Sequence, residues 1–170
     1  MNNSNLIATQ VGGLVDPLNL TADDIYIDDI AHALSNLCRF GGHTRRFYSV
    51  AEHSIHVSYL CDPADAMTGL LHDAAEAYLM DLPRPIKQRM PAYINAEAEV
   101  WKVIMSAFEL QSATSVGVAD EGIIDEELAV LFGIGTAPFT TRIACYPPVQ
   151  AKQMFLCRYW QLYVDKRNRT

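Results

Sequence analysis

One mostly apolar stretch restricts what this chain can fold into. Residues 69 to 85 read GLLHDAAEAYLMDLPRP, with helical periodicity interrupted by His72, Asp73 and Glu76. A buried helix rarely accepts three ionisable groups within two turns, because each costs free energy to desolvate unless it is paired or bound to a metal. On a helix, Glu76 lies one turn after the other two, so all three side chains project toward neighbouring faces. The fold therefore has to place compensating partners against this stretch.

The rest of the chain predicts an all-α fold, a compact single-domain helical bundle over residues 1–170. Hydrophobic residues make up 50% of the sequence and charged residues 19%, which is typical of a folded globular protein. Residues 6–15 favour a short N-terminal β-hairpin, and Ser49 with Glu52 forms a capping-box pattern. Apolar residues at helical spacing predict helices over about 26–40, 49–61, 64–80, 92–110, 123–133 and 148–166. We interpret residues 112–122 as a loop, or as a loop leading into a helix.

Charge and cysteine usage indicate the setting of the protein. The net charge of −7 argues against general binding to nucleic acids or to anionic membranes. The four cysteines show no CxxC pairing and have apolar neighbours, as expected for free thiols in a reducing compartment. We find neither a basic segment followed by an apolar one at the start nor an apolar run of membrane-spanning length, so we expect a cytoplasmic protein.

The positive charges cluster on both sides of the ionisable stretch. Such clustering in an acidic chain indicates a site for a small anion, although each of these residues alone is better explained by solvated surface charge. The six residues are Arg39, Arg45, Arg46, Arg84, Lys87 and Arg89.

A metal site is the interpretation that best explains the ionisable stretch. His53 lies in the apolar pattern of the preceding helix, VAEHSIHV, and a short Asp62-Pro63 turn lets the two helices run antiparallel. This arrangement brings His53 against His72 and Asp73. Two imidazoles and a carboxylate are three ligands for a borderline divalent cation such as Zn, Co, Mn, Ni or Fe(II).

A fourth carboxylate ligand is expected from a distant helix. Asp125 is preferred, because IIDEELAVL places it at the start of an apolar helix. Asp120 and Glu126 are the alternatives.

Three segments together resemble a known family. RFGGHTRRFYSVAEHS, GLLHDAAEAYLMDLPRPIK and IIDEELAVL are similar to the HD-domain metal-dependent phosphohydrolases, in particular to the branch of bacterial 5'-deoxynucleotidases and phage dATP triphosphohydrolases. The resemblance covers roughly residues 25 to 165. It implies an HD-type fold, one divalent metal per subunit (Zn, Co or Mn), a homo-oligomer, and a host-cytoplasmic location if a phage encodes the chain. It also implies hydrolysis of deoxynucleotides, with dATP, dADP and dAMP, converted to deoxyadenosine, as the best single guess.

The resemblance assigns roles to individual residues. The implied metal ligands are His53, His72, Asp73 and Asp125. The implied catalytic residues are Glu76 as acid or base, with Asp81 and Arg39. The implied substrate-binding residues are Arg39, Phe40, Asp73, Asp81, Leu82, Pro83, Arg84 and Lys87. Phe40 departs from the tryptophan expected in the bacterial nucleotidases, which leaves the base preference open.

Each assignment has an ordinary structural alternative. Glu76 would orient His72, Arg39 would face a helix C-terminus, and Phe40 would pack in the core. Asp81 would simply end a helix, and Arg84 and Lys87 would be solvated. The alternative functions are a 5'-deoxynucleotidase acting on many deoxynucleoside monophosphates and a non-catalytic nucleotide-binding module.

Overall fold

The computed structural model describes residues 5–137 and 143–169, with the side chains of all of these except residue 169. It confirms the all-α fold class, with a short two-stranded sheet near the N-terminus. The α-helices are α1 (Ile27–Asn36), α2 (Val50–Leu60), α3 (Ala66–Leu71), α4 (Glu76–Leu79), α5 (Arg84–Lys87), α6 (Pro91–Ala107), α7 (Val116–Phe132) and α8 (Pro148–Arg169). Single 3-10 turns cover Ala22–Asp24 and Arg39–Gly42. None of the described helices combines the length and apolar character needed to cross a membrane.

The N-terminal hairpin is confirmed. Strand β1 (Ile7–Ala8) pairs antiparallel with β2 (Leu14–Val15). The carboxylate of Asp29 in α1 accepts hydrogen bonds from the backbone N–H groups of Val11 and Gly12, at 2.7 and 2.9 Å. The turn of the hairpin is therefore fastened to the first helix.

Helix α2 is the centre of the bundle. It packs against α1, α3, α7 and α8, and eight of its 11 residues are buried. A helix buried on all sides must be apolar on all sides, or its polar groups must find partners. The main core around it includes Leu34, Val50, Leu71, Ile104 and Phe155.

The capping-box prediction for α2 is confirmed for Ser49 but not for Glu52. Ser49 Oγ accepts a hydrogen bond from the backbone N–H of Glu52, as an N-cap serine should. The Glu52 carboxylate does not return to the cap, however. It is fully buried and accepts from the backbone N–H groups of Ala144, Cys145 and Tyr146, at 2.7 to 3.0 Å. It therefore holds the segment before α8 against α2.

Helix α1 ends earlier than predicted. The chain becomes extended at Leu37, and Cys38 forms an antiparallel bridge with Ser49. The next turn has a positive φ of 54° at Phe40, a conformation that a bulky residue rarely adopts. The consequence is that Arg39 lies on a tight turn and reaches toward α7 instead of extending a helix.

The predicted helix over 64–80 is broken in the middle. Helix α3 ends at Leu71 and α4 begins at Glu76. Between them the backbone makes tighter bonds, from Ala74 N to Leu71 O at 2.8 Å and from Glu76 N to Asp73 O at 3.0 Å. The ionisable residues therefore surround a helix break and not a continuous helical face.

Helix α7 begins at Val116, well before the predicted start at residue 123. Asp65 fixes this start, because its Oδ2 accepts from the backbone N–H groups of Thr114 and Ser115 and from the Ser115 hydroxyl. Gly117 and Gly122 have low helix propensity, which disguised the first turns in the sequence.

Candidate metal centre

His53 is fixed by a buried network. Its ring is fully buried in α2, and Nδ1 lies 2.7 Å from Oε1 of Glu127 in α7. Glu127 also accepts from the Tyr48 hydroxyl at 2.9 Å and from an Arg39 guanidinium nitrogen at 3.1 Å. A carboxylate at Nδ1 stabilises the tautomer that carries the proton there, which leaves the lone pair on Nε2. Nε2 is thus ready to accept a cation.

His72 is oriented in the same sense. Its Nδ1 lies 2.8 Å from the backbone carbonyl of Gly69, one turn back in α3. A carbonyl only accepts, so Nδ1 carries a proton, and Nε2 is the nitrogen that faces the cluster and could bind a cation. The His53 and His72 rings lie 5.3 Å apart, centroid to centroid.

Three donor atoms converge between these rings. His53, His72 and Asp73 each offer a ligand atom, and the three atoms lie within 4.8 Å of one another. His53 Nε2, His72 Nε2 and Asp73 Oδ2 are buried and make no hydrogen bond within the described part of the chain. Buried polar atoms are normally satisfied, so three orphans aimed at one point require an explanation.

Asp120 lies against the two histidines, outside the group of three, and is the candidate fourth ligand. Its Oδ1 lies 3.1 Å from His53 Nε2 and 3.8 Å from His72 Nε2. Donors around a tetrahedral zinc ion with bonds of about 2.0–2.1 Å lie about 3.3 Å apart. The residues present therefore fit a divalent cation: two imidazole nitrogens and two carboxylates, none of which selects a single metal.

The structure places Asp120, and not the predicted Asp125, beside the two histidines. Asp125 is exposed, and Glu126, the other alternative, is buried. The early start of α7 is the reason: at about 100° per residue, Asp125 lies about 140° around the helix from Asp120. Glu127, seven residues after Asp120, returns to the same face.

The charges of the cluster are strongly coupled. Burial lowers the pKa of His72, but Asp73 and Asp120 outweigh burial and raise it to about 10. Burial raises the pKa of Asp73, whereas His72, His53 and Arg39 together hold it below its ordinary range. Two anionic carboxylates thus stabilise positive charge between the imidazoles. A divalent cation supplies that charge without protonating the ligands.

Glu76 lies beside the cluster with a different character. It is buried, and its Oε2 makes no hydrogen bond within the described residues. Burial and the charges of Asp73 and Asp81 raise its pKa to about 9. Asp81, half-buried, has its pKa raised by burial as well. A neutral carboxyl next to ionised ones is a group suited to proton transfer.

The predicted cations are near the site but already paired. Arg39 lies 3.1 Å from Glu127 and 3.7 Å from Asp73, so it borders the metal ligands directly. Arg84 is mostly exposed and lies 3.4 Å from Asp120 Oδ2. Lys87 forms a salt bridge with Glu97 of α6.

Among the remaining predicted substrate residues, Phe40 contacts Arg39, whose guanidinium carbon lies 5.5 Å from the centre of the Phe40 ring. The Phe40 ring meets the Phe132 ring edge-on at 5.2 Å and packs with a small cluster around Tyr48. Leu82 is half-buried and Pro83 is exposed at the start of α5. Arg45 donates to the carbonyl of Phe132 from the surface.

The sequence analysis missed Glu127 and Tyr48. Spacing offered a usable signal for Glu127, since it follows Asp120 by two helical turns on an otherwise apolar face. Tyr48 had no comparable signal, because it precedes α2 in an irregular segment.

Two curated proteins are similar to this chain, whereas no family model matches it. It is 43% identical over 99 residues to the uncharacterized protein YfdR of Escherichia coli (strain K12), which covers 58% of this chain and 56% of YfdR. It is 42% identical over 85 residues to the uncharacterized protein RCAP_rcc00048 of Rhodobacter capsulatus, which covers 45% of this chain and 43% of that protein. The chain thus spans about half the length of these relatives. Their names state no activity.

Proposed function

We propose that this chain is a metal-dependent phosphohydrolase of the HD-domain type that acts on deoxynucleotides. One observation carries the proposal. Three buried donor atoms, on His53, His72 and Asp73, have no hydrogen-bond partner among the described residues and converge within 4.8 Å. A site that only fastens helices together needs a metal, but it needs neither a buried neutral carboxyl nor a guanidinium beside the ligands.

The residues around the ligands have separate roles in this chemistry. A bound divalent cation would polarise a phosphoryl oxygen and acidify water. Arg39 borders Asp73 and presents a planar guanidinium whose geometry matches a phosphate group. Glu76, kept protonated at neutral pH by its raised pKa, would give a proton to the leaving oxygen. His53 is fully buried and His72 is only slightly exposed, so both rings are held in place beside the ligands.

The proposed substrate class rests on the family resemblance together with the remaining polar groups. Asp81, half-buried and close enough to Glu76 to raise its pKa, would accept a hydrogen bond from a sugar hydroxyl such as the 3'-OH, which ribose and deoxyribose both carry. Three nearby cations are each paired with a carboxylate: Arg39, Arg84 and Lys87. To bind these cations, a polyphosphate would have to replace the carboxylates as their partners. Adenine deoxynucleotides, from dATP to dAMP, are the best single substrate. The competing activity is a 5'-deoxynucleotidase with broad base preference.

Phosphate release tests the proposal. The metal-stripped chain, resupplied with Mn, Co or Zn, is incubated with every dNTP and dNMP and with the ribose counterparts, and the products are resolved by chromatography. Hydrolysis confined to adenine deoxynucleotides supports a dATP-clearing enzyme, and hydrolysis of many dNMPs with triphosphates spared supports a 5'-deoxynucleotidase. Absence of turnover with every metal and substrate refutes the enzyme.

A matched pair of variants separates an enzyme from a binding module. Glu76→Ala is expected to retain metal and lose turnover, whereas Glu99→Ala, which removes an exposed carboxylate on α6, is expected to change neither. Retention of full turnover in Glu76→Ala would remove Glu76 from the proposed chemistry.

A further inference from the structure

A cleft of about 520 Å³ opens directly beside the candidate metal centre. We call it the α6 cleft, because α6 forms one wall and the segment leading into α7 forms the other. His72 and Asp73 line one end of it. If the phosphate of a ligand lies at the metal, the rest of that ligand can extend into this cleft. Its volume is within the usual range for small-molecule sites.

The lining from α6 combines an apolar and aromatic stripe with Glu97, whose salt-bridge partner Lys87 also lines the cleft. Ile94, Ala98, Trp101 and Met105 are spaced four, three and four residues apart, which places them on one face of the helix. The residues buried in the core are Val100 and Ile104, on a neighbouring stripe. Trp101 and Met105 also pack against the main core, so this face of α6 both lines the cleft and contacts the core.

The segment leading into α7 contributes a mixture of polar, small and apolar residues to the cleft: Gln111, Ser112, Ala113, Val116 and Gly117. The Gln111 carbonyl accepts a hydrogen bond from Thr68 Oγ1 at 3.3 Å. Gly117 lies in the first turn of α7, and a Cβ added there meets nothing within 4 Å. The cleft therefore combines a flat aromatic surface, hydrogen-bonding groups and open space.

We propose that the α6 cleft holds the nucleobase of the substrate, stacked on Trp101. This inference rests on the proposed phosphohydrolase function, because it takes the phosphate end to lie at His72 and Asp73. A base presents an aromatic face and a polar edge, and the two walls offer one partner for each. Phe40, the aromatic residue expected from sequence to stack on the base, packs against Phe132 instead. Trp101 is thus the base-binding residue, and Gly117 leaves room for the base.

Intrinsic fluorescence tests the stacking without relying on turnover. The chain has two tryptophans, and the other, Trp160, lies half-exposed on α8. In Trp160→Phe, Trp101 is the remaining fluorophore. Titration with dAMP in the presence of metal is expected to quench its emission to saturation. Deoxyribose 5-phosphate, which lacks the base, is expected to leave the emission unchanged.

Two neighbouring substitutions on α7 test the space. Gly117→Met is expected to fill the cleft and raise the KM for nucleotides roughly 10-fold or more, while metal affinity stays unchanged. Val118→Met, which places the same side chain at a position that is 75% exposed, is expected to leave KM unchanged. Trp101→Leu is expected to raise KM about 10-fold, as loss of one base-stacking contact implies.

The outcomes separate this inference from the function on which it rests. Hydrolysis of nucleotides with no quenching of Trp101 at saturating dAMP overturns the base site and leaves the phosphohydrolase standing. Saturable quenching by dAMP without turnover under any metal supports the base site and refutes the enzyme. Equal KM values for Gly117→Met and Val118→Met overturn the base site, and absence of both quenching and turnover overturns both proposals.

Discussion

Glu127 offers the sharpest test of how the candidate centre is built. It is fully buried and accepts hydrogen bonds from His53, Tyr48 and Arg39. In Glu127→Gln, one oxygen remains, but the other becomes an amide donor that faces groups which themselves donate. Leaving a buried charge without its partner costs about 3–5 kcal/mol. Arg39 keeps Asp73 at 3.7 Å and is slightly exposed, so we expect about 3 kcal/mol of lost stability in the metal-free chain.

The same substitution is expected to weaken metal binding. The carboxylate holds the proton on His53 Nδ1 and so keeps Nε2 available, and loss of such a partner typically costs 10–100-fold in metal affinity. Urea unfolding of the metal-free chain and calorimetric titration with Mn or Zn measure the two effects. The control is Asp125→Asn on the exposed face of α7, expected to change stability by less than about 0.5 kcal/mol. If Glu127→Gln behaves like this control in both assays, our interpretation of the network is refuted.

Three further predictions concern other parts of the structure. Glu76→Gln is expected to keep the metal and lose about 10²–10⁴-fold in turnover, measured by phosphate release against metal content; unchanged turnover would contradict a proton-transfer role. Arg39→Lys is expected to lower kcat/KM at least about 10-fold, because a hydrogen bond to a charged group is worth about 1.5–3 kcal/mol and lysine cannot form the same fork; wild-type kinetics would exclude Arg39 from phosphate binding. Hydrogen bonds from the backbone and side chain of Ser115 hold the pKa of Asp65 below its ordinary value of 3.8. The stability that Asp65 contributes is therefore complete above about pH 4 and lost as the pH falls through the lower folded pKa; urea midpoints from pH 7 to pH 2.5 should show this loss in wild type and a smaller one in Asp65→Asn, and equal slopes would contradict it.

Local patterns predicted much of the fold. The hydrophobic periodicity placed α2, α6 and α8 within a few residues, since each has an apolar face or core and a recognisable start. The Ser49 cap was visible because its hydrogen bond is to a backbone group three residues away. Such local interactions are encoded in neighbouring residues and need no tertiary information.

Interactions between distant segments were not predictable in the same way. The early start of α7 depends on Asp65, 50 residues before Ser115, and without it the glycines near residues 117 and 122 favour a loop. That error alone moved the choice of fourth ligand to Asp125. Glu52 has the spacing of a capping box, but it is taken up by backbone groups more than 90 residues away.

The candidate site was partly accessible from sequence. His53, His72 and Asp73 were identified because ionisable residues in apolar helices are costly without partners. Their convergence depends on the break between α3 and α4, which the continuous helical pattern of residues 64–80 conceals. Lys87 was predicted to bind the substrate or to be solvated, yet it pairs with Glu97 of α6, the helix that begins at Pro91.

The central claim is that His53, His72, Asp73 and Asp120 hold a divalent metal, and bound metal per chain tests it most directly. Wild type, Asp120→Asn and Asp125→Asn are dialysed against Mn or Zn, freed of excess ion and analysed by elemental mass spectrometry. We predict about one metal per chain in wild type and Asp125→Asn, and at least about 10-fold weaker retention in Asp120→Asn. Absence of bound metal from the wild type, or equal retention by the two variants, would contradict the account.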